Sequence, residues 1–322
     1  MSDPAAPVGR ADLELITIGR VGVDLYPEQI GVPLARVRTF AKSLGGSPTN
    51  VAVAAARLGH RAAVVTKVGD DGFGVYVREA LEGFGVDTRY VGTDPTLRTP
   101  VVFCELYPPD RFPLLFYHEP KAPDLNISRD ELDLEAIERV PILWTTGMAL
   151  SAEPSRTATL AALETARGRT IHDLDHRPHA WTDPRDARPA AAKALRHAQV
   201  VVGNVDEAEM ATGERDPEVA AGRLLEMGPE LAIVKQGPHG TLARTKGERV
   251  AVPAVEIEVV NGLGAGDAFG GALVHGLLEG WDLARTLTFA NAAGAIVASR
   301  LACADAMPTE REVETLLRGV HV

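Results

Sequence analysis

Apolar, β-rich runs alternate with amphipathic helical stretches along almost the whole chain, and this rhythm restricts the fold more than any other feature. LELITIG (13–19) has the composition of a buried strand, and residues 49–58 carry a helical pattern stopped by Gly59. RAAVVTKVG (61–69) is again strand-like, and in 71–84 the apolar Phe73, Tyr76, Val77, Ala80, Leu81 and Phe84 share one helical face. Strands follow at PILWTTG (141–147), TIHDLD (170–175), QVVVGN (199–204) and LAIVKQG (231–237). Helices at 154–167, 185–197, 206–212 and 217–227 separate or follow them. Strands joined through helices need crossover connections, which build a mostly parallel sheet covered on both faces. The expected fold is therefore α/β, a single domain over 11–320 behind a flexible start at 1–10.

Two stretches break the rhythm. Residues 21–44 and 97–118 carry short β-type runs interrupted by Pro33, Pro100, Pro108, Pro109 and Pro113, with no helix-length period. A small β-structured lid emerging from the main sheet accounts for both, and such flaps commonly close over substrate. A pair of long surface loops is the alternative. The charge balance of 33 − 44 = −11 repels polyanions, so neither nucleic acid nor an anionic membrane is expected as a partner. Cys104 and Cys303 are the only cysteines and supply neither a disulfide framework nor a zinc ligand set. The opening MSDPAAPVGRADLE lacks a basic segment followed by an apolar one, and VAVAAA (51–56) and AGAIVA (293–298) are far shorter than the ~18 residues of a membrane span. A cytoplasmic location is expected.

Candidate chemistry concentrates late in the chain. In NGLGAGDAFGGALVHGLLEG (261–280), Gly264-Ala265-Gly266 can turn tightly, expose successive backbone N–H groups and lead into a helix, which makes an anion hole. Asp267 then falls in the first helical turn. Capping the helix is one role for it. An acid repels the anion beside it, however, and a base that accepts a proton from an attacking hydroxyl gives it a second. The dinucleotide fingerprint G-x-G-x-x-G needs glycine where Asp267 stands, GDDGFG (69–74) has the wrong first gap, and no Gly-Lys pair exists for a Walker loop.

GLGAGDAF (262–269) resembles the C-terminal signature of the ribokinase-like, phosphofructokinase-B type carbohydrate kinases. GGSPTNVAVAAARLG (45–59) is similar to that family's N-terminal signature, NVDE (204–207) to its N-x-x-E element and KQGPHG (235–240) to its nucleotide-side glycine turn. Four elements in the family's order span the chain. Within the family, GRVGVDLYPEQIGVPL (19–34), FYHEPKAPDLNI (116–127), DLDHRPHAW (173–181) and ACADAMPTE (302–310) resemble the branch acting on 5-dehydro-2-deoxygluconate in myo-inositol breakdown. Kinases of 2-keto-3-deoxygluconate share the layout and are the nearest rival. A sugar-binding regulator without catalysis is the rival from another class, and retention of Asp267, the glycine turn and Glu207 argues against it.

The resemblance implies an ATP- and Mg²⁺-dependent kinase. Asp267 would be the catalytic base, with the amides of Gly264, Ala265 and Gly266 stabilising charge on the transferring group. Glu207 and Asn204 would organise Mg²⁺ and its waters, although a helix start capped by Asn204 serves equally and both can hold. Lys235, Gly237 and Gly240 would border the nucleotide, with Asn291 near the adenine. On the sugar side, Asp24 would end the first strand, and Gly45, Gly46 and Asn50 would let the backbone approach substrate. A plain turn and a helix start are the alternatives for these three. HDLDHRPH (172–179) invites a metal site, but strand alternation separates His172 from Asp173 and Asp175. The resemblance instead places Asp175 and Arg177 at a strand end on the sugar, with Arg177 a natural partner for a carboxylate. Two departures stand out. Asn261-Gly262 replaces the family's Asp-Thr, which leaves activation by a monovalent cation open. His118 stands where sugar-acid kinases of this type carry arginine, and offers one donor where arginine offers a fork. An exposed lid offers a surface for a homodimer.

Overall fold

The computed structural model describes residues 13–319, so the flexible start placed at 1–10 lies outside the described residues. β1 (Leu15–Ile18) opens the main sheet, and β2 (Gly22–Pro27) and β3 (Phe40–Gly45) leave it before α1 (Ser47–Arg57) begins. β4 (Ala62–Gly69), α2 (Gly72–Gly83) and β5 (Val91–Asp94) return to it, and β6 (Val101–Cys104) and β7 (Leu114–Tyr117) leave again. From α3 (Leu134–Arg139) the chain alternates through β8 (Ile142–Thr146), α4 (Ser155–Thr165), β9 (Arg169–Asp173), α5 (Ala187–Leu195) and β10 (Val200–Asn204). α6 (Val205–Thr212) and α7 (Pro217–Glu226) precede β11 (Leu231–Lys235), β12 (Thr241–Arg244) and β13 (Arg249–Val252). Three helices close the fold, α8 (Ala265–Leu278), α9 (Leu283–Ala298) and α10 (Glu310–Gly319).

The main sheet has nine strands in the order β13-β12-β11-β10-β9-β8-β1-β4-β5. Its pairings are parallel except for those of β12 and β13, which meander back antiparallel at one edge. Alternate side chains enter opposite layers. Leu15, Val64, Trp144 and Ile171 pack with α1, α8 and α9, whereas Ile16, Ile18 and Leu143 pack with α3, α4 and α5. α9 is buried along most of its length, including Leu287, Phe289, Ala293 and Val297. Among the described residues no helix is long and apolar enough to cross a membrane.

β3-β2-β6-β7 form a second, four-stranded sheet. Its inner face contributes Tyr26, Val102 and Cys104 to a small apolar cluster completed by Cys303. Its outer face leaves Leu115 and Tyr117 of β7 exposed.

α1 and α8 pack with their backbones nearly in contact. A methyl group on Gly271 would overlap Ala54, and one on Gly270 would lie 2.8 Å from the indole of Trp144. Small residues at these positions therefore set the separation of two helices whose N-terminal ends carry Asn50 and Asp267.

Candidate active site

Parallel strands bring their C-terminal ends to one edge, where open α/β sheets bind ligands. Register places Asn204 beside Lys235 at the ends of β10 and β11. A cleft at this edge is lined by Arg20, Asp24, Gly46, Ser47, Asn50, Asp175, Arg177, Gly264 and Asp267, with Phe116, Met148 and Cys303. Seven of the residues singled out from sequence thus meet in one space.

Gly264 sits in the left-handed region (φ 79°) as the N-cap of α8, and a side chain there would strike Cys303 Sγ. The turn opens the helix, where the Asp267 amide bonds back to the Gly264 carbonyl at 3.1 Å and the amides of Ala265 and Gly266, which precede it, have no carbonyl four residues back within the helix. Asp267 follows in that turn, and Asn50 Nδ2 donates to its Oδ2 at 2.8 Å. Burial raises the Asp267 carboxyl to about 6 against the pull of Asn50 and Ser47, with Asp173 adding to the rise. Lys235 Nζ lies 3.2 Å from where a Cβ on Gly266 would stand, so the missing side chain admits the ammonium to the glycine turn. Burial works against that charge, but Asp173, Glu207, Asp267 and Asp175 hold the lysine's pKa up.

The end of β9 departs from the sequence expectation of a strand running to 175. The strand stops at Asp173, and Asp175 has a positive φ of 29°, alone in this among the described non-glycine residues. Asp173 and Asp175 are both buried, and that burial raises both carboxyls. His172 faces away, with its Nδ1 2.9 Å from Thr145 Oγ1. Arg177 Nη2 pairs with Asp175 Oδ1 at 2.8 Å and Nη1 with Glu207 Oε1 at 3.3 Å. Both ends of the guanidinium are thereby occupied within the protein.

Glu207 caps its own helix. Asn204 Oδ1 accepts the Glu207 amide at 2.9 Å, and Glu207 Oε2 accepts the Asn204 amide at 2.8 Å. The carboxylate is buried and still faces Arg177.

Asp24 also sits differently from expectation. It stands mid-strand in β2, opposite Ser43 and Val102, rather than at the end of the first strand. The break at Gly19–Val21 divides what reads in sequence as one run. Tyr26 Oη donates to Asp24 Oδ2 at 3.0 Å, and Tyr26 Oη lies 2.7 Å from Cys303 Sγ. Burial raises Asp24 to about 6, while Tyr26 and Arg20 oppose the rise. Gly45 makes room for Asp24 rather than for a sugar, since a Cβ there would overlap that carboxylate. Gly46 (φ 103°) similarly clears the carbonyl of Arg20.

The nucleotide-side residues are more scattered. Gly237 (φ 57°) opens the turn between β11 and β12 and faces open space. Gly240 (φ 88°) closes it where a Cβ would collide with the Val252 carbonyl. Asn291 of α9 ties β12 to the segment after β13, accepting from Thr241 Oγ1 at 2.7 Å and donating to the Pro253 carbonyl at 2.9 Å. His118 lies outside the cleft lining, with its Nδ1 3.1 Å from Arg20 Nη2. Arg20, Ser47, Phe116, Met148 and Cys303 are cleft residues that sequence reasoning passed over. For Arg20 a signal existed, a charged residue two positions beyond a fully buried strand on the ligand-binding edge.

The pfkB family carbohydrate kinase model matches residues 12–310. A 5-dehydro-2-deoxygluconokinase of Geobacillus kaustophilus is 32% identical over 314 residues, 95% of this chain and 93% of that protein. Among solved structures, fructokinase from Vibrio cholerae with fructose, ADP and calcium ion bound has a TM-score of 0.84 at 26% identity, over 96% of this chain and 100% of that one. An E. coli protein described as a ribokinase II, in complex with ATP and Mg²⁺, has a TM-score of 0.87 at 25% identity, over 95% and 99% of the two chains.

Proposed function

The chain belongs to the pfkB family of carbohydrate kinases, and on that premise we propose that it phosphorylates 5-dehydro-2-deoxy-D-gluconate at O6, using ATP and Mg²⁺. The observation that carries this reading is Asp267, held by Asn50 at 2.8 Å beside the Gly264–Gly266 turn, in a cleft that also contains arginine. With its pKa near 6, the carboxylate is mostly ionised at neutral pH yet remains a useful proton acceptor. Asn50 orients it toward the acceptor hydroxyl. The amides opening α8 and the ammonium of Lys235 meet the negative charge that phosphoryl transfer brings to the turn.

The donor set suits magnesium bound through water. Asp173, Asp175 and Glu207 crowd negative charge near Lys235, and burial leaves the two aspartates reluctant to ionise until a cation arrives. Magnesium characteristically takes one or two protein carboxylates and keeps several waters. Bound there, the ion would neutralise phosphate charge. Glu207 and Asn204 would hold its shell.

The relatives named 5-dehydro-2-deoxygluconokinase, at about one-third identity over nearly the full chain, support the choice of acceptor. ATP consumption measured against a panel of sugar acids and neutral ketohexoses tests it. Turnover highest with 5-dehydro-2-deoxy-D-gluconate is expected; higher turnover with 2-keto-3-deoxygluconate or fructose overturns the assignment. The exposed Leu115 and Tyr117 support a homodimer through the second sheet, which a monomeric sedimentation coefficient would contradict.

A further inference from the structure

We propose that Arg20, rather than Arg177, binds the carboxylate of the acceptor. The proposal rests on the sugar-acid reading above and names the contact that makes an acid the preferred substrate.

Two arginines line the cleft. Arg177 is already neutralised by Asp175 and Glu207. Arg20 has no carboxylate oxygen within 4.0 Å among the described residues. It follows β1, is 8% exposed, and its Nη1 is buried without a hydrogen-bond partner. An unpartnered guanidinium nitrogen at such a site is costly unless something completes it. Its other terminal nitrogen, Nη2, is directed by His118 Nδ1 at 3.1 Å, and its guanidinium carbon lies 5.7 Å from the centre of the Phe116 ring. The backbone beneath is held as well, since Thr49 Oγ1 donates to the Arg20 carbonyl at 2.8 Å. The fork is therefore oriented, buried and incomplete.

The missing partner is an anion. Asp24, Asp175 and Asp267 line the same cleft and would repel an acidic ligand unless a cation not tied into an ion pair offset them. Arg20 acts on Asp124 electrostatically, but the Asp124 Oδ2 accepts the Val21 amide and its Oδ1 is buried without a partner. Both groups would be satisfied if they paired, and they do not. A planar carboxylate from a ligand matches the fork. His118 has an explanation in the same geometry: a neutral imidazole, held neutral by burial and by Arg20 itself, accepts from the guanidinium and aims it.

The test compares the wild type with Arg20→Met, Arg20→Lys and Arg177→Met, measuring kcat and KM for 5-dehydro-2-deoxy-D-gluconate and for fructose. Arg20→Met should raise KM for the acid ~30- to several-thousand-fold, the range for removing one partner of a buried charge pair, and raise KM for fructose by a far smaller factor. Arg20→Lys keeps the charge and loses the fork, so the acid-to-fructose ratio should fall ~10-fold. It decides the matter if the methionine variant does not fold. His118→Ala should move the same ratio in the same direction by a smaller factor. Equal losses on both substrates in the Arg20 variants, or a selective loss on the acid in Arg177→Met alone, overturn the proposal while leaving the sugar-acid reading standing. A wild type that uses fructose and no acid overturns both.

Discussion

Replacing Asp267 by asparagine should remove most of the activity and make the ligand-free protein more stable. The carboxyl is raised from 3.8 to about 6, chiefly by burial. The folded state therefore holds the proton more tightly than the unfolded chain does. Stability from this group is full below pH ~4 and is lost as pH rises through ~6, amounting to ~3 kcal/mol once the group is ionised. Asparagine carries no such penalty, and its Oδ1 can accept the Asn50 N–H that Oδ2 accepts now at 2.8 Å. Urea denaturation without ligands should show Asp267→Asn gaining ~3 kcal/mol over the wild type at pH 8 and roughly half of that at pH 5. Turnover should fall ~10²- to 10⁴-fold, the usual contribution of a positioned base. Asp24 and Asp175 should also ionise more readily, since Asp267 contributes to raising both. A stability change independent of pH, or a loss at pH 8, would refute the reasoning. Near-normal turnover would remove Asp267 from the chemistry.

Two further variants probe the flanks of the site. Glu207→Gln should raise the Mg²⁺ concentration needed for half-maximal activity several-fold, because a neutral amide replaces the carboxylate that closes the cap with Asn204 and faces Arg177; an unchanged Mg²⁺ titration would reduce Glu207 to a helix-start residue. Gly45→Ala should impair sugar use far more than nucleotide binding, since its methyl group would overlap the Asp24 carboxylate; equal nucleotide and sugar affinities to the wild type, measured by calorimetry, would contradict that.

The parts legible from sequence are those encoded by neighbours along the chain. Strand–helix alternation exposed the α/β class and the parallel sheet, because apolar period and punctuation are local signals. The glycine turn and Asp267 lie within a few residues of each other, and their proximity in the cleft follows from the chain itself. α9 was invisible because it is apolar nearly all round, with buried residues from Thr286 to Ala298, so no helical stripe marks it. β12 and the edge strand β13 are four residues each, with too little alternation to register. The occupation of Arg177 by Asp175 and Glu207, and the opening left at Arg20, arise between segments far apart in sequence. Neither arginine carries in its flanking residues any sign of which one is free.

The close approach of α1 and α8 determines where movement can occur. Gly270 and Gly271 leave no slack between the two helices, so Asn50 and Asp267 keep their spacing whether or not the cleft is filled. The second sheet is attached differently: it departs at Arg20–Val21 and returns through Gly45 and Gly46, the latter in a conformation suited to glycine. Asn50 and Asp267 thus form a fixed reference point, and the second sheet is the part left free to shift against it. Structures with and without ligand should superpose on α1 and α8 within coordinate error, with all appreciable displacement in β2, β3, β6 and β7.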